Sequence, residues 1–588
     1  MKALTLTRNT MIDDRSNAPA VAYAAAALRR DLDARLGFAD SAPAATAITL
    51  RIEPNAKAFD AHSIHVASDG IAISGSDELG LIHGIYAFSE KWLGTDPCQW
   101  VTGIVPERVA AVEIPCGTYT SKPYTFRHRG WFFNDEDLLV GFQMEKPEHG
   151  FSMEVWQALF ECALRMHCTC VIPGTNIVAD EPQIKLASDM GLYIAQHHAE
   201  PLGSCPMLWP RGVPFSWSTS KDFMIDWWRR AIERQAGNKV LWTLGFRGLA
   251  DRPFWLDDPN MSPDAPLETK AAIINEALAT QYRMIRDIRG EEAPETFGYL
   301  WGENYGLYNA GLLRFPEGTT IIHTDGGNGC MAGNLAEMVG RSNHPTGVYQ
   351  HISMFTGALS VRVTSYAPRT YAREIKRAVE AGMTEIFIVN VGNLREKTFN
   401  LRQVMGYAND YLAMAEICVA DGDGYFPWFA REVLKAKDTR VAQVYRDLTE
   451  LPFRLDDGNP ESKFGDNIYT NIVRYSLQRI YNREDEPPAI FGLTRAGLKT
   501  LPDAMDWFIG KLSAVAPRWE LAVAQARDSR RHLAGAPLRF YEQDGLAQIE
   551  KVTALNAMAL AFCRSARHYL AGAGYDAYLE AFQALRHC

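Results

Sequence analysis

Between Tyr124 and Gly392 the chain repeats one arrangement eight times: an apolar run too short for a helix, then a cluster of carboxylate, imidazole, amide or guanidinium side chains. The runs are 124–133, 168–173, 192–196, 240–246, 296–301, 319–323, 347–351 and 386–391, with helical stretches between most of them. Strands that alternate with helices form parallel sheets, and eight such units predict a closed (β/α)8 barrel. Barrels of this kind carry their chemistry at the C-terminal ends of the strands, where these polar clusters fall. The clusters are Asn134-Asp135-Glu136, Asn176 with Asp180 and Glu181, His197-His198-Ala199-Glu200, Arg247 with Asp251, Glu303-Asn304-Tyr305, Asp325, Tyr349 to His351, and Asn390 with Asn393. A packed core has no use for so many ionisable groups, so together they predict an enzyme site.

A barrel needs about 250 to 300 residues and the chain has 588, so further domains are expected. Residues 1–120 read as an α/β accessory domain. An Ala-rich helix is expected over 20–36, strands over 47–52 and 71–74, a hairpin turn at Asp69-Gly70 and an amphipathic helix over 79–93. The glycine-rich GSDELGLIHGIYAF lacks the GxGxxG spacing of a dinucleotide-binding turn. The barrel is assigned 121–430. Residues 431–588 read as a helical bundle, with helices near 429–437, 441–449, 467–482, 501–514, 517–534 and 545–570. This bundle is expected to pack on the barrel or to form the contact of a homodimer.

The net charge of −10, without any basic run, argues against nucleic acid or an anionic membrane as partner and favours a small or neutral substrate. The opening MKALTLTRNTMIDDRS has no apolar stretch of signal-peptide length, and no later segment is apolar for the length of a membrane span, so a soluble cytoplasmic protein is expected. Ten cysteines show neither CxxC pairs nor even spacing and read as buried reduced thiols.

Two carboxylates stand out. Glu303 in YLWGENYG is flanked by Trp301 and Tyr305, and an apolar setting raises a carboxyl pKa as a general acid requires. Asp251 follows the neighbouring strand, four residues after Arg247 in FRGLAD. A pair of carboxylates on adjacent strand ends is the minimum equipment for breaking a glycosidic bond, and Arg247 offers a two-pronged donor for a substrate carboxylate. The alternative for Arg247 and Asp251 is an internal ion pair. In QHHAEP, adjacent residues of a strand point to opposite faces, so one of His197 and His198 should face the pocket and the other pack outward. With neither HxH nor HExxH in the chain, no metal and no other cofactor is expected. Trp131, Trp209, Trp217, Trp255, Trp301 and Tyr305 are candidates for stacking on sugar rings.

Five phrases, in order, resemble glycoside hydrolase family 115, the xylan α-1,2-glucuronidases. RGWFFNDED (129–137) is similar to the family's RGxFxNDE, QHHAEP (196–201) to its HHEP, and FRGLAD (246–251) to its MRGxxD. WGENYG (301–306) stands in place of its Lys-Glu segment and IVNVGNL (388–394) is close to its IVNVGDL. The resemblance covers about residues 60–430 and implies an accessory α/β domain, a catalytic barrel and a helical bundle. It further implies exo-acting hydrolysis with inversion, releasing glucuronic acid or its 4-O-methyl form from xylan or xylo-oligosaccharides. Carried over, the essential glutamate falls on Glu303, the aspartate on Asp251, the arginine on Arg247, an amide on Asn390 and a further acid near Asp180. Asn134, Asp135, Asn176, His197, His198, Glu200, Trp301, Tyr305, Asp325, Tyr349 and His351 complete the expected substrate-binding set. The family's DDNxGN reads Asp325-Gly326-Gly327-Asn328-Gly329 here, its YYH reads Tyr349-Gln350-His351, and the sequence stops at the helices, where typical members carry a further β-rich domain. The rival expectations are a metal-dependent barrel hydrolase built on His197, His198, Glu200, Asp251 and Asp325, and a non-catalytic carbohydrate-binding barrel.

Overall fold

The computed structural model describes residues 2–37, 46–55, 58–134, 151–327, 329–354, 362–364, 366–454, 465–490 and 493–587. Asp135 and Asn328 lie outside them. The N-terminal part holds β1 (Ala3–Leu6), β2 (Met11–Asp14), β3 (Ala47–Ile52), β4 (His62–Val66), β5 (Gly70–Gly75), β6 (Val112–Pro115) and β7 (Gly117–Thr120). β1 pairs antiparallel with β6, and the other five form a sheet in the order β2-β3-β5-β4-β7. The Asp69-Gly70 turn joins β4 to β5 as an antiparallel hairpin. The Ala-rich helix runs Pro19–Arg35 with its proline in the first turn, where a missing N–H costs no hydrogen bond. The helix expected over 79–93 begins at Glu78, with the Asp77 carboxylate accepting from the Gly80 N–H, and its last turn, Ser89–Leu93, widens to a π-helix.

The eight runs close into one barrel of parallel strands: β8 (His128–Phe133), β9 (Cys170–Ile172), β10 (Tyr193–Ala195), β11 (Val240–Leu244), β12 (Thr296–Leu300), β13 (Thr320–Thr324), β14 (Thr346–His351) and β15 (Ile386–Val391). Closure comes from β15 on β8, in a register that runs from Ile386 opposite His128 to Val391 opposite Phe133. Side chains alternate across each strand, so Phe132, Ile172, Leu241, Phe297, Tyr299, Ile322, Tyr349 and Ile388 fill the interior as a packed core. The residues that continue each inward row past the strand end are lifted to the mouth. The register that sets Tyr349 against Ile388 sets His351 against Asn390 one step higher.

Helices Tyr425–Glu432, Arg440–Glu450, Asn467–Asn482, Leu501–Ser529, Ala547–Leu570 and Gly574–Arg586 make up most of the bundle. Leu501–Ser529 is one helix with Pro517 inside it, where the sequence predicts two. Leu512 and Trp519, on either side of the proline, are both buried in the shared core, and that packing keeps the halves in line against the local preference to break. One core runs from Leu4 past side chains of β8, β9, β10, β14 and β15 to Ala566, separate from the packed barrel interior. Arg165 ties the barrel's first described helix, Met153–Arg165, to the Ala-rich helix by two parallel bonds to Asp31, of 2.9 and 3.0 Å, with both partners buried. The nine described cysteines are free, and most are buried. Among the described residues no helix is long and apolar enough to cross a membrane.

Candidate active site

Each strand end delivers its side chains by a different local device. After β10 the chain leaves the pleat and turns, the Glu200 N–H bonding to the His197 carbonyl at 2.9 Å. His197 and His198 are therefore not strand neighbours on opposite faces. Both line the same cavity, with ring centroids 3.8 Å apart, which corrects the expectation that one packs outward. After β11, Asp251 sits at φ 51°, a left-handed conformation that folds the loop back and returns its carboxylate to Arg247. After β12, Gly302 takes φ 55°, and a Cβ there would stand 3.0 Å from the Arg247 Nη2. The bare glycine lets the guanidinium reach Glu303, the first residue of helix Glu303–Asn309.

Arg247 is the centre of this side of the mouth. Its Nε and Nη2 donate to the two oxygens of Glu303 at 3.0 and 2.9 Å, and its Nη1 donates to Asp251 Oδ1. Arg247 and Glu303 are nearly excluded from water, at 4 and 9 % exposure, whereas Asp251 is 41 % exposed. Two expectations change. Glu303 does not lie bare against an apolar wall but is paired with a guanidinium, and the fork of Arg247 is taken up internally. Partial burial works against ionisation of Asp251, yet His198 and Arg247 outweigh it and hold its carboxyl below the usual carboxylate range.

A cavity of about 360 Å3 opens beside this triad. Asn134, Asn176, His197, His198, Glu200, Asp251, Trp301, Tyr349, His351 and Asn390 line it, so most of the expected residues converge on one space. The Asp325 carboxylate lies buried behind the wall, accepting from His351 Nδ1 at 2.6 Å, the His351 N–H at 2.8 Å and the Gly327 N–H at 2.8 Å. It orients the imidazole and does not line the cavity. Asn390 Nδ2 donates to the Tyr349 hydroxyl at 2.8 Å. Burial pushes the Glu200 carboxyl up to about 8 although the Asn176 N–H and Cys205 bond to it, so at neutral pH it is largely protonated and can donate. Burial and the adjacent His198 push His197 well below the usual imidazole range, and burial likewise lowers His198.

The remaining expected residues are elsewhere. Asp180 is an exposed residue 3.7 Å from Arg234 and outside the cavity wall. Tyr305 packs into the core and donates to the Ala332 carbonyl at 3.4 Å. Arg247 and Glu303 stand behind Asp251 and do not line the cavity. Of the candidate stacking rings only Trp301 lines it: Trp131 is buried in the core, and Trp209, Trp217 and Trp255 belong to an aromatic cluster around Phe215 and Phe246. Thr175, Pro206, Met207, Leu249, Ala250 and Met354 also line the cavity and were not expected. Single residues on irregular loops carry no periodic signal that would single them out.

His197, His198 and Asp251 form the one group of metal-ligating type among the described residues, with one donor atom from each lying within 4.8 Å of the others.

Residues 121–456, more than half of the chain, match the model of glycosyl hydrolase family 115. No curated protein matches the sequence. Among solved structures, a 4-O-methyl-α-glucuronidase of that family with specificity for decorated arabinogalactans superposes with a TM-score of 0.75 at 17 % identity, covering 99 % of this chain and 77 % of that one. An enzyme of family GH138 targeting pectin rhamnogalacturonan II superposes with a TM-score of 0.50 at 10 % identity, over 98 % of this chain and 73 % of the other.

Proposed function

This chain belongs to glycosyl hydrolase family 115 and is a glycoside hydrolase, and from that premise we propose that it is an exo-acting α-glucuronidase working by inversion. Its substrate is a small oligosaccharide ending in glucuronic acid or its 4-O-methyl form, as on xylan fragments. Asp251 is the base that activates water, and Glu303 is the acid that protonates the departing oxygen. The observation that carries the reading is the arginine that joins Asp251, on the cavity wall, to Glu303 behind it. Inversion calls for a separation of about 6.5 to 9.5 Å between the two carboxyl groups, which leaves room for the attacking water. A volume of about 360 Å3 suits a terminal sugar better than a run of them. Hydrolysis of this kind needs no cofactor.

The sugar's polar groups have donors in Asn134, Asn176, Asn390 and His351, and Trp301 offers an apolar face. Among the described residues the cavity wall offers these neutral donors to the uronate carboxylate. A second reading has its own observation: Glu200 faces the cavity directly and Glu303 does not, which favours Glu200 as the proton donor.

Purified protein assayed on uronic-acid-capped oligosaccharides and on aryl glycosides should release the sugar with inverted configuration, followed by NMR of the first-formed product. Retained configuration would end the single-displacement reading. Glu303→Gln should cripple substrates with poor leaving groups far more than activated ones, and if Glu200→Gln does so instead, the acid is Glu200.

A further inference from the structure

His197, His198 and Asp251 are more than three polar residues on one wall. Their donor atoms converge within 4.8 Å, close to the spacing of about 3.4 Å that tetrahedral zinc with bonds of 2.0 to 2.1 Å demands of its ligands. Asp251 is on an exposed loop and can close the difference by rotating its side chain. Independently of this convergence, the His198 ring lacks a satisfied partner. It is 5 % exposed and lines the cavity, yet neither Nδ1 nor Nε2 makes a hydrogen bond. Asp251 Oδ1 comes within 3.1 Å of Nε2 but off the direction a hydrogen bond requires. A buried imidazole in this state, on the wall of an open cavity, has ring nitrogens available to a ligand.

We propose that His197, His198 and Asp251 bind one divalent ion of the zinc type, with its fourth position open to the cavity, and that the bound ion inhibits hydrolysis. The inhibitory half rests on the reading of Asp251 as the base. An ion on that carboxylate takes the lone pair that would accept the proton of water, and it stands where the water must stand. Ion and sugar then exclude one another, and each weakens the other's binding by the same factor.

The test uses the full chain freed of metal by a chelator. Titration with zinc chloride should show one bound equivalent by calorimetry and a raised melting temperature. Cobalt chloride should give the visible bands of a four-coordinate ion with nitrogen and oxygen ligands. His198→Gln and His197→Gln should each lose the bound equivalent and the cobalt bands while melting as folded proteins. Absence of binding, binding that survives both variants, or the charge-transfer absorption of thiolate ligands would overturn the site, and hydrolysis by the metal-free protein would still stand. Binding of one equivalent with undiminished hydrolysis would overturn the inhibitory half and with it the role of Asp251, while the ion site stands.

Discussion

Replacing Arg247 with lysine separates two roles that a guanidinium at this place can have. If Arg247 serves by holding Glu303 and Asp251, the damage appears in turnover; if it reads the substrate's carboxylate, the damage appears in binding. Lysine keeps the charge but offers a point in place of a planar fork, so at least one of the bonds to Glu303, at 3.0 and 2.9 Å, is lost. A hydrogen bond between charged groups this well shielded from water is worth about 1.5 to 3 kcal/mol. If Glu303 must be held in place only in the transition state, that loss lowers kcat by about 10- to 150-fold, at about 1.36 kcal/mol per decade. KM should move little, because the fork points at Glu303 and Asp251 and does not line the cavity. The measurement is kcat and KM, separately, for a uronic-acid aryl glycoside and its neutral counterpart, with a melting curve to confirm folding. A raised KM on the uronate alone, with kcat intact, would refute the positioning role and show that the internal pair opens to bind substrate.

Asp251→Asn should depress hydrolysis of activated and unactivated glycosides alike, since both need the water activated; sparing of activated substrates in steady-state assays would exchange its role with the acid. Hydrolysis should survive EDTA, as an inhibitory ion site requires, and loss of activity restored by stoichiometric zinc would make the ion a cofactor instead. Arg165→Ala leaves Asp31 buried without a partner and should cost about 3 to 5 kcal/mol in chemical denaturation; a change under about 1 kcal/mol would show that water reaches the carboxylate. Asp544, fully buried and bonded by Tyr445 and Gln548, is pushed up to about 7 by that burial. Its folded pKa is above the unfolded one, so the native state alone keeps the proton between about pH 4 and 7, and stability falls as pH rises through that window. Asp544→Asn should remove this fall and be more stable than the parent at pH 8 by up to about 4 kcal/mol in urea titrations; an unchanged slope between pH 5 and 8 would assign it elsewhere.

The barrel was legible because its strands are short apolar runs, each followed by a polar cluster, and closure needs only that eight of them pair in order. The cavity residues Asn134, Tyr349, His351 and Asn390 were legible for the same reason: each stands on an inward row at the C-terminal end of its strand, Asn134 one residue past it. Reasoning by alternation failed at the point where the strand stopped. β10 ends at Ala195, and the turn that follows brings His197 and His198 to one side, so a rule of the pleat was applied two residues too far. Glu303 failed differently. Its neighbours Trp301 and Tyr305 suggested an apolar setting, but its partner is 56 residues away in sequence, and nothing local announces a guanidinium reaching past Gly302. The four-residue spacing of Arg247 and Asp251 did suggest an internal pair, and that reading is the one the geometry bears out. Pro517 shows the converse, a local stop signal overruled by long-range packing around Leu512 and Trp519. What a sequence conveys about a site is therefore which strand ends carry chemistry. Which charges neutralise one another there is decided between loops that only the closed barrel brings together, and here that closure joins the ends of β11 and β12 through one arginine.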